Sequence, residues 1–107
     1  MRVIVFDTEA TDLIPGQICQ LAYLKIEYGT ISGHNFFFSV DEMSVGAQEV
    51  HGLSKEMLNE LSNGRWFEDE ALGILHDFNA SGLLIGHNVA ADELYLRVEM
   101  ERAALKL

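Results

Sequence analysis

An apolar run that ends in two alternating acids constrains this chain more than any other feature. Residues 2 to 7 contain the continuous apolar run Val3-Ile4-Val5-Phe6, which closes on Asp7-Thr8-Glu9. A continuous apolar stretch of this length fits a central strand covered on both faces. Side chains alternate along a strand, so Asp7 and Glu9 share one face while Thr8 points to the other, leaving only its backbone free to reach the acids' side. Two carboxylates side by side where a strand meets a loop repel each other, and a bound cation relieves that repulsion. The pattern reads as half of a metal site.

The complementary half lies far along the chain. Leu83-Leu84-Ile85-Gly86-His87-Asn88 is again an apolar run closing on polar residues, and Asp92 follows. Asn88 reads as an N-cap, which puts Asp92 in the first turn of a helix. Asp7, Glu9 and Asp92 are then expected to converge at one end of one sheet.

Three landmarks in order make a resemblance specific. Phe6-Asp7-Thr8-Glu9, then His51-Gly52-Leu53-Ser54 with Met57-Leu58, then His87-Asn88 with Asp92, resemble the successive motifs of the DnaQ-like, or proofreading-type, 3′ to 5′ exonucleases of the DEDD class. The chain departs from that pattern at Ala10, Asp12 and Ala91. A last motif, a helix carrying a His or Tyr and a fourth Asp, has no counterpart, since neither Asp nor His follows Asp92. The resemblance implies an α/β, ribonuclease H-like three-layer fold whose mixed sheet combines an antiparallel meander of three strands with one parallel strand. Without that last motif, residues 1–107 read as a C-terminally incomplete chain, the N-terminal portion of a longer domain, with a naturally shortened relative as the alternative.

The same resemblance implies a chemistry. Asp7, Glu9 and Asp92 would be the catalytic and metal-binding residues for Mg²⁺ or Mn²⁺, with Asp7 bridging two ions and the second ion weakly held for want of the fourth acid. Such ions, about 3.5–4 Å apart, activate a water and stabilise the leaving 3′ oxygen in an in-line displacement at phosphorus. Substrate contacts fall to the Thr8 backbone, His51 and Asn88. The implied substrate is the 3′ end of single-stranded DNA or RNA, and the implied partner is a DNA polymerase subunit in a proofreading or repair setting. The alternative is a non-catalytic exonuclease-like module that binds another protein.

Charge limits how nucleic acid could be held. A formal net charge of -10 with no Lys/Arg cluster excludes gripping long duplex by bulk electrostatics. A short single-stranded end, held through cations, suits such a surface better. No apolar run is long enough for a membrane span and no leader pattern opens the chain, so a cytoplasmic setting is expected. The single Cys19 agrees with a reducing compartment.

The remaining pattern supplies the frame. Gln17 to Glu27 reads as a second strand after a break at Pro15-Gly16, and Tyr28-Gly29-Thr30 as a turn into a third strand from Ile31 to Val40. Ser54 caps a short helix to about Leu61. Phe67, Ala71, Ile74, Leu75 and Phe78 recur at helical spacing, and that helix crosses over to Leu83–Ile85, parallel to the first strand. In the last helix Ala91, Leu94, Tyr95 and Val98 are expected inward, with Glu93 paired to Arg97. His34 and His76 read as boundary residues, Glu68-Asp69-Glu70 as a helix first turn, and Phe36-Phe37-Phe38 as sheet core. An unpaired edge on the last strand would invite self-association.

Overall fold

The apolar run forms strand β1 (Val3–Ala10), which pairs antiparallel with β2 (Ile18–Glu27). The computed structural model describes residues 1–12 and 16–107, so the break expected at Pro15 lies outside the described residues. β3 (Thr30–Phe37) folds back on β2 through Tyr28 and Gly29, whose φ values of 51° and 76° give the turn that matches strand twist. The strand stops before Val40 because the Ser39 amide leaves the ladder and donates to the Arg65 carbonyl at 2.7 Å.

Four helices complete the described chain. α1 (Val45–His51) carries no buried residue, so hydrophobic periodicity gave no bounds for it; a Ser44 cap and Gly52, at φ 75°, define its ends. α2 (Lys55–Leu61) starts where expected, with the Met57 amide donating to Ser54 Oγ at 3.1 Å. α3 (Phe67–Asn79) then crosses to β4 (Leu83–Gly86), which lies parallel to β1 and completes a sheet of order β3-β2-β1-β4. α4 (Val89–Arg102) returns beside α3.

One face of the sheet makes the core. Ile4, Phe6, Leu21 and Tyr23 meet Phe67, Ile74 and Phe78 of α3 and Leu96 and Met100 of α4, with edge-to-face rings between Phe6 and Phe78 at 5.2 Å. Phe36 and Phe38 join this cluster, whereas Phe37 alternates to a second one around Cys19, Val40 and Leu58. Away from that second cluster the opposite face is open among the described residues: Leu24, Ile31, Leu83 and Ile85 are 45%, 65%, 46% and 44% exposed. The expected cover on both faces of β1 is therefore met on one.

Two buried carboxylates account for a second difference. The inward stripe of α4 is Asp92, Leu96, Glu99 and Met100, not Leu94, which is 48% exposed. Hydropathy misses this stripe because polar residues occupy it with partners in hand. Glu99 accepts the Ile18 amide at 3.2 Å and pairs with Arg102 at 2.9 Å. In the same way Asp77 of α3 accepts Tyr23 Oη at 2.7 Å and Lys25 Nζ at 3.0 Å across the sheet.

Candidate active site

The C-terminal end of β1 gathers most of the residues singled out by sequence. Alternation holds there: Asp7 is exposed on the open face, and Thr8 is buried on the helix-covered face. Thr8 does more there than present its backbone, because its hydroxyl donates to Asp92 Oδ1 at 2.7 Å in a buried bond. Asp92 thus reaches β1 from the first turn of α4 on the covered side, while Asp7 and Glu9 reach the strand end from the other. The site straddles the end of the sheet.

Mutual repulsion links the three acids. Burial raises the Glu9 carboxyl above its ordinary value, and the charge of Asp7 adds to this; His51 opposes the shift, and Asp92 reinforces it. Burial also raises Asp92; the Thr8 hydrogen bond works against that, Asp7 adds to it, and His87 offsets part. Both groups sit where a negative charge is poorly compensated.

Two further features shape the strand end. Glu9 pairs with Gln20 but Ala10 pairs with Ile18, so the register slips and Cys19 is the extra residue on β2. Cys19 Sγ lies 3.9 Å from His51 Nε2, which lies 3.1 Å from the Ala10 carbonyl. Burial pushes the Cys19 thiol up to about 12, so it is a packing group and not a nucleophile. Beside this contact, Thr8, Glu9, Ala10, Ala47, Val50, His51 and Tyr95 line a cleft of about 490 Å³.

Asn88 stands at the N-cap of α4 without a side-chain cap bond; only its carbonyl closes the first turn, accepting the Asp92 amide at 3.0 Å. The expected side-chain cap is absent because its backbone, at φ −135° and ψ 68°, is not the extended geometry that aims a cap side chain. Gly86 is a site residue that the sequence reading passed over. A Cβ placed there would lie 3.5 Å from Asp92 Oδ2 and 3.2 Å from the Phe6 carbonyl. A glycine closing a strand beside an acid is the available signal of such a close approach.

The donors suit a hard cation. They are all carboxylate oxygens, and Asp92 Oδ2 is a buried oxygen with no hydrogen-bond partner, the arrangement expected where a cation completes the shell. Among the described residues no three His, Cys, Asp or Glu side chains are already drawn together as a metal cluster.

Comparison with known proteins agrees with this architecture. No protein-family model matches the chain. A DNA polymerase III PolC-type from Latilactobacillus sakei is 29% identical over 106 residues, which is 97% of this chain but 7% of that protein. Among solved structures, E. coli exonuclease I in complex with a dT13 oligonucleotide superposes with a TM-score of 0.85 at 16% identity, covering 98% of this chain and 24% of that one. An ExoI/SSB-Ct complex gives 0.84 at 16% identity, over 98% and 25% of the two chains. This chain thus spans a small part of each protein it matches. Strand order, crossover and helix placement give this chain the α/β, ribonuclease H-like fold of the matched region of exonuclease I.

Proposed function

We propose that this chain is the carboxylate-bearing part of a metal-dependent 3′ to 5′ exonuclease that hydrolyses phosphodiester bonds at the 3′ end of single-stranded DNA or RNA. The observation that carries the reading is Asp92 Oδ2, a buried and unpartnered oxygen at the strand end that also bears Asp7 and Glu9. A protein keeps such an oxygen at a cost of about 1–3 kcal/mol, which a bound cation removes. Mg²⁺ or Mn²⁺, when bound, would lower the pKa of water and stabilise charge on the leaving oxygen.

The chain's own residues have assignable tasks. Asp7, Glu9 and Asp92 would hold the cations. The cleft beside Glu9, with Ala10, Ala47 and Val50 as apolar walls, suits one terminal nucleotide, and His51 forms part of its wall. Thr8 lines that cleft, and Asn88 is exposed on the β4–α4 turn. The net charge of -10 restricts binding to a short single-stranded end drawn in by cations. A further carboxylate and a general base complete the machinery from outside these residues, and residues 1–107 act within a larger exonuclease domain.

The decisive experiment is a calorimetric titration of the chain with Mn²⁺, repeated on Asp7→Ala. Weak binding that the substitution abolishes supports the reading; identical heats from both proteins overturn it.

The setting belongs to the same proposal. A polymerase-associated proofreading or repair role in the cytoplasm agrees with the PolC-type relative, and none of the described helices is long and apolar enough to cross a membrane. A second reading, a non-catalytic module that binds protein, draws on the open sheet face around Leu24, Leu83 and Ile85. The outer edge of β4, unpaired among the described residues, makes self-association part of either reading. Binding of a single-stranded oligonucleotide separates them: the exonuclease reading expects Mn²⁺-dependent uptake that Asp7→Ala removes, and the protein-binding module expects none.

A further inference from the structure

We infer that Thr8 is the positioning residue of the cation site, holding Asp92 by one carboxylate oxygen so that the other lies unpartnered beside Gly86. The inference rests on the metal reading above and goes beyond it, because Thr8 enters that reading only through its backbone.

Three observations carry it. The Thr8 hydroxyl donates to Asp92 Oδ1 at 2.7 Å, a short bond to a charged acceptor inside the protein. Asp92 Oδ2 has no donor at all, and it is the single such buried side-chain atom among the described residues. Gly86 lets the end of β4 come close to that oxygen, since a Cβ there would sit 3.5 Å from Oδ2 and 3.2 Å from the Phe6 carbonyl. A carboxylate fixed at one oxygen and bare at the other is how a second residue orients a metal ligand. Without the hydroxyl, a carboxylate on the first turn of α4 would rotate toward solvent to recover water. The exposed Asp7 has no such restraint, so the ligand needing a positioner is the buried one.

The alternation of β1 explains why Thr8 can do this. Asp7 and Glu9 face away from α4, and only the residue between them points at it. A hydroxyl at that position couples the strand acids to the helix acid across two elements that are far apart in sequence.

The test uses Thr8→Val, which keeps the shape and removes the donor, and Thr8→Ser, which restores it. Mn²⁺ affinity should fall about 10–100-fold in Thr8→Val and return in Thr8→Ser, the range typical for residues that orient a ligand. A fold defect alone would not be rescued in this pattern at equal helical content. Unchanged affinity in Thr8→Val, with Asp7→Ala still abolishing binding, overturns the inference and leaves the metal reading intact. Should the unsubstituted chain take up no Mn²⁺, the metal reading fails, and the inference fails with it if the Asp92 side-chain conformer, read by NMR without metal, is the same in Thr8→Val. One measurement needs no variant: the buried Thr8 hydroxyl proton should exchange slowly enough to be seen by NMR, and fast exchange counts against the bond.

Discussion

His51 is fixed at both ring nitrogens, and its nearest backbone acceptor is Ala10: Nδ1 accepts the Leu53 amide at 3.0 Å, and Nε2 lies 3.1 Å from the Ala10 carbonyl. An amide can donate only to an unprotonated nitrogen, so the proton sits on Nε2 and is donated to Ala10. The imidazole therefore ties the end of α1, a helix with no buried residue, to the strand end where the register slips beside Glu9.

The first prediction follows from that tie. His51→Ala should lower unfolding free energy by about 1–2 kcal/mol, the worth of its hydrogen bonds, while His51→Gln, which can still donate to Ala10, should lose less. Urea melts with unchanged slope would measure it. Equal loss in both variants would show that packing, and not the Ala10 bond, is what His51 provides.

Much of the fold was legible because the strongly patterned elements are local. Ser54 as a cap, Tyr28-Gly29 as a turn and the α3 stripe each follow from chemistry within a few residues. The α4 face was misread because Asp92 and Glu99 look like solvent residues until their partners, Thr8 and the Ile18 amide, are brought in from the far end of the sequence. Spacing placed Asp7 and Glu9 together, but it could not show that Asp92 approaches from the other face of β1 or that Thr8 meets it there. Gly86 and Cys19 acquire meaning only from the approach of separate elements.

A second prediction concerns the Asp77 network. Burial alone would raise this carboxyl, but hydrogen bonds from Tyr23 and Lys25 outweigh it and hold Asp77 below its ordinary value. Asp77→Ala strands the buried Tyr23 hydroxyl and should cost about 1–3 kcal/mol, measurable by denaturant melts at neutral pH. A cost near zero would mean that Lys25 and Tyr23 find water instead.

The pH dependence of stability should show two opposing limbs. Glu9, Asp92 and Glu99 have raised folded values, so between the ordinary carboxyl range and those values the folded chain binds more protons than the unfolded one, and mild acidification from neutrality stabilises it. Asp77 and Glu27 have lowered folded values, so their contribution is complete above the ordinary range and is lost as pH falls through the folded values. Thermal melts should therefore peak on the acidic side of neutrality. Asp92→Asn should flatten the first limb and, in metal-free buffer, raise the melting temperature at neutral pH; a lower melting temperature would show that Oδ2 already has a compensating partner.

The last prediction concerns turnover by the 107-residue chain itself, which should shorten a single-stranded oligonucleotide very slowly or not at all. On the proposed reading, three carboxylates without a preformed cluster would hold a cation loosely and leave charge on the leaving oxygen poorly stabilised. The attacking water also lacks an evident base: His51 has both nitrogens engaged, and general-base assistance is typically worth about 10² to 10⁴ in rate. His87 is the imidazole left near the acids, exposed on the β4–α4 turn and close enough to act on Asp92 electrostatically. The assay is a 5′-labelled strand with Mn²⁺, read as a ladder shortening from the 3′ end. Robust, chelator-sensitive digestion that Asp7→Ala abolishes would contradict the expected deficit, and its loss in His87→Ala would then name the base. Digestion seen only when the domain is longer would place the missing acid and base in the added residues.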